Sequence, residues 1–316
     1  MNVIITGYGG MFRALIEGVL KSKHNISGVL RHERVIKSPL KLYFDDAALP
    51  SDDYLFIKNH KLHEIKASSV NSENFRQAVK KLKADAVITG SWSEKFSEET
   101  LKVLPFCFVN VHPSLLPKYR GPNPYAQAIL HNEKISGITF HLMDKKYDTG
   151  AVLLQKEVKI MPDDTAGSLK LRCCAAAKQE IRFLLDNFKE LYRNRKEQNE
   201  ADASYQSRIH LKEAVLEFEK EDSEEISRRI RAFSPRLKCF IPINGEFLTF
   251  SSFKIIPVRI NCLPGTIIRK TSDSVCIACR DNAAMCFYNT ELVRPFSKCI
   301  SKIFMDKFVK VNDRTI

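Results

Sequence analysis

Asn2-Val-Ile-Ile-Thr6 runs into Gly7-Tyr-Gly-Gly10, the helical run Met11–Leu20 comes next, and Ile26–Leu30 is the second apolar segment. Short β-branched runs punctuated by glycine predict strands and a tight turn, and the amphipathic run between them predicts a helix. The chain continues in the manner of this β-α-β opening, with a helix near 72–82, a buried strand at Ala86–Thr89, a helix over 97–103 and strands at Phe106–Val111, Ile138–Met143 and Val152–Val158. Strand and helix in alternation predict an α/β unit with a mostly parallel sheet. The long amphipathic run Ala166–Leu191 closes it. The glycine turn falls short of a dinucleotide fingerprint, because the third glycine position holds Phe12, so a plain strand-to-helix turn is the reading.

Beyond residue 192 the pattern changes. Residues 193–207 are polar without a hydrophobic period and are read as a linker between a first domain at 1–192 and a second at 208–316. A short helix over Glu224–Phe233 carries Arg228, Arg229 and Arg231, and short strands come after it, separated by Asn244-Gly245, Pro264-Gly265 and Asp281-Asn282. Such spacing predicts a small barrel or sandwich.

With 316 residues, 44% hydrophobic and 28% charged, the chain is neither a disulfide-stapled miniature nor a disordered or collagenous polymer. No signal-like or membrane-spanning apolar stretch occurs, which predicts a cytoplasmic protein. Nine scattered cysteines are expected as reduced thiols. Cys276 and Cys279 lie three apart on a strand, hence on opposite faces, and are not expected to hold a metal. Residues 226–316 contain 16 Lys/Arg against 6 Asp/Glu, so they carry +10 of the net +13. Charge concentrated in this way suits a polyanion such as nucleic acid.

The chemistry is concentrated in Val109-Asn-Val-His-Pro-Ser-Leu-Leu-Pro-Lys-Tyr-Arg-Gly121. Asn110 and His112 are two apart on a strand and share a face. Asp144-Lys-Lys-Tyr-Asp148-Thr-Gly150, after the next strand, is expected to bring a carboxylate to the same crevice. An amide donor, an imidazole and an orienting anion suit acyl transfer, although a satisfied structural histidine uses the same residues. His141 is open to an acceptor-side role or to that of a surface histidine, and the surface reading is favoured.

Asn110-x-His112, Ser114-Leu-Leu-Pro117, Arg120-Gly121, Gly137-Ile-Thr139 and Asp148-x-Gly150 together resemble the folate-dependent formyltransferases. Lys37-Ser-Pro-Leu-Lys41, Ile226-x-Arg-x-Ile-Arg-Ala-Phe-x-Pro235 and Leu263-Pro-Gly265 resemble the methionyl-tRNA branch of that family. The resemblance implies a Rossmann-like formyltransferase domain followed by an OB-like β-barrel. It implies a monomer that uses 10-formyltetrahydrofolate and no metal. It assigns catalysis to Asn110, His112 and Asp148. The folate would be lined by Ser91, Trp92, Phe96, Leu116 and Asp144, with Trp92 equally suited to anchoring the core. Initiator tRNA would meet Arg34, Lys37, Lys41 and Arg120, and the basic 226–233 helix.

Three departures from that branch concern the amine acceptor: Gly7-Tyr-Gly-Gly-Met-Phe12, Pro122-Asn-Pro-Tyr125 and Phe140-His141. They keep an amino-sugar nucleotide or another small amine open as acceptor. A catalytically silent nucleic-acid-binding relative is the third reading, and the intact Asn110, His112 and Asp148 speak against it.

Overall fold

The computed structural model describes residues 1–33, 37, 41, 48, 50–105, 107–258, 262–293 and 315. The first unit is built on a six-stranded sheet in the order β2-β1-β3-β4-β5-β6. Its strands are β1 (Asn2–Gly7), β2 (Asn25–Arg31), β3 (Ala86–Gly90), β4 (Phe108–His112), β5 (Ile135–Leu142) and β6 (Val152–Lys159). The first four are mutually parallel, while β5 is antiparallel to both β4 and β6. Val3, Ile4, Ile5, Val87, Ile88 and Val109 are fully buried, as expected where helices cover both faces of a parallel sheet. The mostly parallel α/β unit foreseen from the opening residues is therefore present.

Helix starts obey the local chemistry. Ser72 accepts from the Phe75 N–H to begin α3 (Glu73–Lys81), after α1 (Gly9–Leu20) and α2 (Asp52–Asn59), and Ser97 accepts from Thr100 to begin α4 (Glu98–Leu101). Pro124–Leu130 forms α5, and the long run predicted over 166–191 is two helices, α6 (Ala166–Asp186) and α7 (Phe188–Arg193), broken at Asn187. The N-terminus of α1 is capped by a distant residue: the buried Asp53 carboxylate accepts from Gly9 N–H at 2.7 Å and from Arg13 at 2.9 Å. An internal anion thus occupies the helix end where a dinucleotide fold receives pyrophosphate.

The second unit takes in residues 208–316, with short pieces at 126–133 and 162–167. It contains helix α8 (Ser223–Phe233), opened by an Asp222/Glu225 capping box. Among the described residues its β-structure is two antiparallel sheets. One has β10 (Ile267–Lys270), β11 (Ser274–Ala278), β12 (Ala283–Tyr288) and β9 (Ser252–Pro257), and the other β13 (Glu291–Leu292), β8 (Glu246–Thr249) and β7 (Ile241–Ile243). Asn244 (φ 49°) and Gly245 (φ 77°) make the predicted two-residue turn between β7 and β8.

Two expectations are corrected by this unit. Cys276 and Cys286 face each other across β11 and β12 and are joined as a disulfide, so the cysteines are not all free. Arg229 and Arg231 of α8 do not present free charge. Arg229 donates to the Glu213 and Val215 carbonyls and pairs with Glu221, and Arg231 donates to the Asp164 carbonyl. Among the described residues, no helix is long and apolar enough to cross a membrane, and no group of three or more His, Cys, Asp or Glu could hold a metal.

Because Asp53 serves both Gly9 and Arg13, Asp53→Ala leaves a half-buried N–H without its acceptor. The expected cost is about 2 kcal/mol, the scale for hydrogen bonds to a charged group. A lower urea midpoint at unchanged m-value would report it, and an unchanged midpoint would show that Asp53 contributes nothing to stability.

Candidate active site

A polar row crosses the sheet. Thr6 on β1 is in register with Thr89 on β3, Thr89 with Asn110 on β4, and Asn110 with His141 on β5. Thr6 and Thr89 are fully buried and bonded through their hydroxyls at 2.8 Å. Amid apolar neighbours such groups are costly unless paired; the two threonines pair with each other, and the row ends in a polar cluster around Asp148.

Asp148 is the hub of that cluster. Its Oδ2 accepts from the Gly121 N–H at 2.9 Å, and its Oδ1 accepts from Asn110 Nδ2 at 3.3 Å and lies 3.4 Å from His112 Nδ1. The sequence placed Asp148 at a strand end shared with His112, but β5 runs against β4, so Leu142 at its end pairs with Val109 near the start of β4. The carboxylate reaches the site because the 143–151 loop folds back over the sheet. Ala151 O accepts from Leu142 N–H at 2.9 Å, and Asp148 sits at φ 59°. Gly150 is required for this return: a Cβ there would lie 1.9 Å from the Leu142 carbonyl oxygen. Asp144 organises the same loop, accepting from the Lys146 N–H and from the Thr149 hydroxyl.

On the other side, the 113–121 loop is fixed from below. Thr139, in register with His112, donates to the Ser114 carbonyl and accepts from Leu116 N–H, and Gln155 donates to the Leu116 carbonyl. Leu116–Pro117 is cis. The loop delivers the Tyr119 carbonyl to His112 Nε2 at 2.8 Å, so Nε2 carries a proton and Nδ1 faces Asp148.

His141, read from the sequence as peripheral, belongs to the cluster. Its Nδ1 is 2.8 Å from the Leu142 carbonyl, which only accepts, so in the neutral ring Nε2 is the acceptor for Asn110 Nδ2 at 3.1 Å. Burial pushes its pKa down from 6.5 to about 4, against the opposing pull of Asp148. Both amide hydrogens of Asn110 therefore have acceptors, His141 and Asp148, which sets the amide's orientation. The signal in the sequence was period-two spacing: His141 shares a strand face with Thr139, which holds the 113–121 loop.

The remaining expected residues divide by exposure. Trp92 is half-buried, its ring 4.9 Å from His32, and among the described residues its Nε1 has no hydrogen-bond partner. Ser91 sits at φ 64° just past β3. Phe96 and Leu116 are buried, and Phe96 packs with Phe75 and Phe108, so these two support the site from within. Arg120, expected to meet the acceptor, is 6% exposed, and its guanidinium is bonded to Gln198 and Glu200. Lys37 lies near Glu33 at 3.9 Å, Lys41 is exposed, and Arg34 lies outside the described residues.

A buried histidine held neutral supports the fold fully above about pH 6.5, and that support is lost as pH falls toward about 4, because the unfolded chain takes up the proton first. His141→Gln should therefore flatten the acid limb of the stability profile, by on the order of 3 kcal/mol between those limits. Parallel urea-stability curves for variant and parent from pH 7 to pH 4 would contradict it.

Residues 1–185 match the Formyl transferase family model, and residues 208–292 match Formyl transferase, C-terminal domain. A methionyl-tRNA formyltransferase of Treponema denticola is 33% identical over 174 residues, 55% of this chain and only 54% of that protein. One from Kosmotoga olearia is 26% identical over 293 residues, 90% of this chain and 89% of that protein. In fold, the chain is similar to the Helicobacter canadensis N-formyltransferase solved with folinic acid and dTDP-3-aminofucose. That likeness has a TM-score of 0.65 at 20% identity, over 91% of this chain and 99% of that one. With more than half its length matched and the cluster intact, the chain belongs to the formyl transferase family and is a formyltransferase.

Proposed function

We propose that the protein transfers the formyl group of 10-formyltetrahydrofolate to the methionyl amine of charged initiator tRNA. The observation that carries the chemistry is the convergence of Asn110, His112 and Asp148 within 3.3–3.4 Å on one face of the sheet. The amine nitrogen bonds to the formyl carbon, the carbonyl electrons move to oxygen, and the bond from carbon to N10 of the folate then breaks. The attacking nitrogen loses a proton and N10 gains one, so the products are the formylated amine and tetrahydrofolate. Asn110 would stabilise the oxyanion by turning an N–H from the longer of its bonds, the 3.3 Å contact with Asp148. His112 and Asp148 would carry the proton between the two nitrogens. Trp92 Nε1, a donor without a partner among the described residues, suits the heteroatom edge of a pterin, and Ser91 and the loop held by Asp144 complete that lining. In this reading residues 1–192 are the catalytic domain, 193–207 join it to the next, and 208–316 hold tRNA.

The tRNA acceptor is supported by relatives of that name aligned over 90% of the chain, and by the +10 charge of residues 226–316. With Arg229 and Arg231 engaged internally, phosphate contacts fall to exposed residues such as Lys238, Lys254 and Arg269, and to Lys37 and Lys41 on the N-terminal loop. An amino-sugar nucleotide is the second reading. It is favoured by the Helicobacter canadensis enzyme, whose likeness covers 91% of the chain, and by Pro122-Asn-Pro-Tyr125.

His112→Ala and Asp148→Asn should each lower formyl transfer at least about 100-fold while the fold persists, measured as folate release by absorbance. Near-parental turnover in either would overturn the chemistry. With charged initiator tRNA as acceptor, log affinity should fall linearly with log salt, by roughly 0.7–0.9 per phosphate contact. Neutralising Lys37 and Lys41 should shrink that slope and raise the KM for tRNA more than for folate. A salt-insensitive reaction on an amino-sugar nucleotide, with charged tRNA untouched, would give the acceptor to the second reading.

A further inference from the structure

The polar stretch read as a linker is bonded to the catalytic loops along its length. Lys196 pairs antiparallel with Val152, Ser204 N–H donates to the Pro117 carbonyl, and Tyr119 N–H donates to Ser204 Oγ at 2.8 Å. Arg120 N–H donates to the Ser204 carbonyl, and Gln206 N–H donates to the Arg120 carbonyl. The chain passes so close that a Cβ on Gly121 would lie 2.6 Å from the Gln206 carbonyl oxygen. Gln198 stands at the centre of this strap. Its Nε2 donates to the carbonyls of Asp148 at 2.9 Å and Gly150 at 2.8 Å, and its Oε1 accepts from Arg120 Nε at 3.1 Å and from a terminal Arg120 nitrogen at 2.9 Å. Two donors and two acceptor sites are all an amide possesses, and all four are engaged.

We infer that Gln198 is a positioning residue for formyl transfer: it fixes the backbone that leaves the Asp148 side chain, at the Asp148 and Gly150 carbonyls, and ties that loop to Arg120. The inference rests on the catalytic reading of Asp148. Each loop contributes one half of the cluster, the 113–121 loop through the Tyr119 carbonyl on His112 and the Gly121 N–H on Asp148, the 143–151 loop through Asp148 itself. The spacing of imidazole and carboxylate depends on the two loops keeping register, and Gln198 is the side chain that bonds to both. Asp148 is held at φ 59°, a backbone state that a loosened loop would leave.

Gln198→Glu tests this in the full-length chain. The substitution keeps the shape and the Arg120 partner but replaces the NH2 group with an oxygen that repels the Asp148 and Gly150 carbonyls. The expected result is a kcat lower by about 10- to 100-fold, a KM for 10-formyltetrahydrofolate within about threefold, and a melting temperature close to the parent's, on the scale of a misplaced catalytic group. Gln198→Met, apolar and of similar length, should show the same split, and Glu197→Gln on the exposed side of the strap should leave kcat unchanged. Parental kcat in both Gln198 variants, beside an inactive Asp148→Asn, overturns the inference. So does a loss of kcat that only tracks the unfolded fraction. If Asp148→Asn itself turns over normally, the catalytic reading of Asp148 is what falls.

Discussion

Keeping a carboxylate in place on the inner face of a sheet is the constraint around which this unit is arranged. Only 12% of the Asp148 side chain is exposed, so little water remains to solvate it and the protein must supply the partners. They come from three places: a backbone N–H at Gly121, an amide at Asn110 and the imidazole of His112. Removing any one leaves charge without compensation, which is why the surrounding loops are so closely tied by cis Leu116–Pro117, Thr139, Gln155 and Gly150.

The same constraint explains the two histidines. His112 and His141 lie near one carboxylate oxygen, at 3.4 and 3.7 Å, and two cations there would repel each other. Division of labour removes the conflict. His141 is driven neutral by burial and accepts from Asn110, while His112, at the strand end, retains the Nδ1 position facing Asp148. Two imidazoles held in different hydrogen-bonding roles avoid that repulsion, and a pair of equivalent imidazoles would not.

Much of this was legible in the chain. Glycine-punctuated β-branched runs gave the parallel strands, Ser72 and Ser97 marked helix starts, and Asn110-x-His112 with Asp148-x-Gly150 marked the cluster. Two things were hidden by strand direction. Because β5 runs against β4, the position of Asp148 depends on a loop that doubles back, and no local pattern announces that path. The place of His141 depends equally on register with Asn110: period-two spacing puts it on the face of Thr139, and only the long-range pairing decides which residue it meets. The cross-strand bond of Cys276 to Cys286 was missed for the same reason.

Polarity misled in a more general way. Residues 193–207 read as a linker and the arginines of α8 as charge for a polyanion, because charged and amide side chains usually face water. Composition counts donors and acceptors but does not say whether their partners are water or backbone. Gln198 gives both its hydrogens to carbonyls of the Asp148 loop, Arg120 gives its guanidinium to Gln198 and Glu200, and Arg229 gives its to Glu213 and Val215. Irregular loops have carbonyls that no ladder satisfies, and long side chains from a neighbouring segment are the groups able to reach them. A polar stretch beside a loop-built site is thus as apt to be its scaffold as a tether, and in this protein the chain leaving the catalytic unit also braces it.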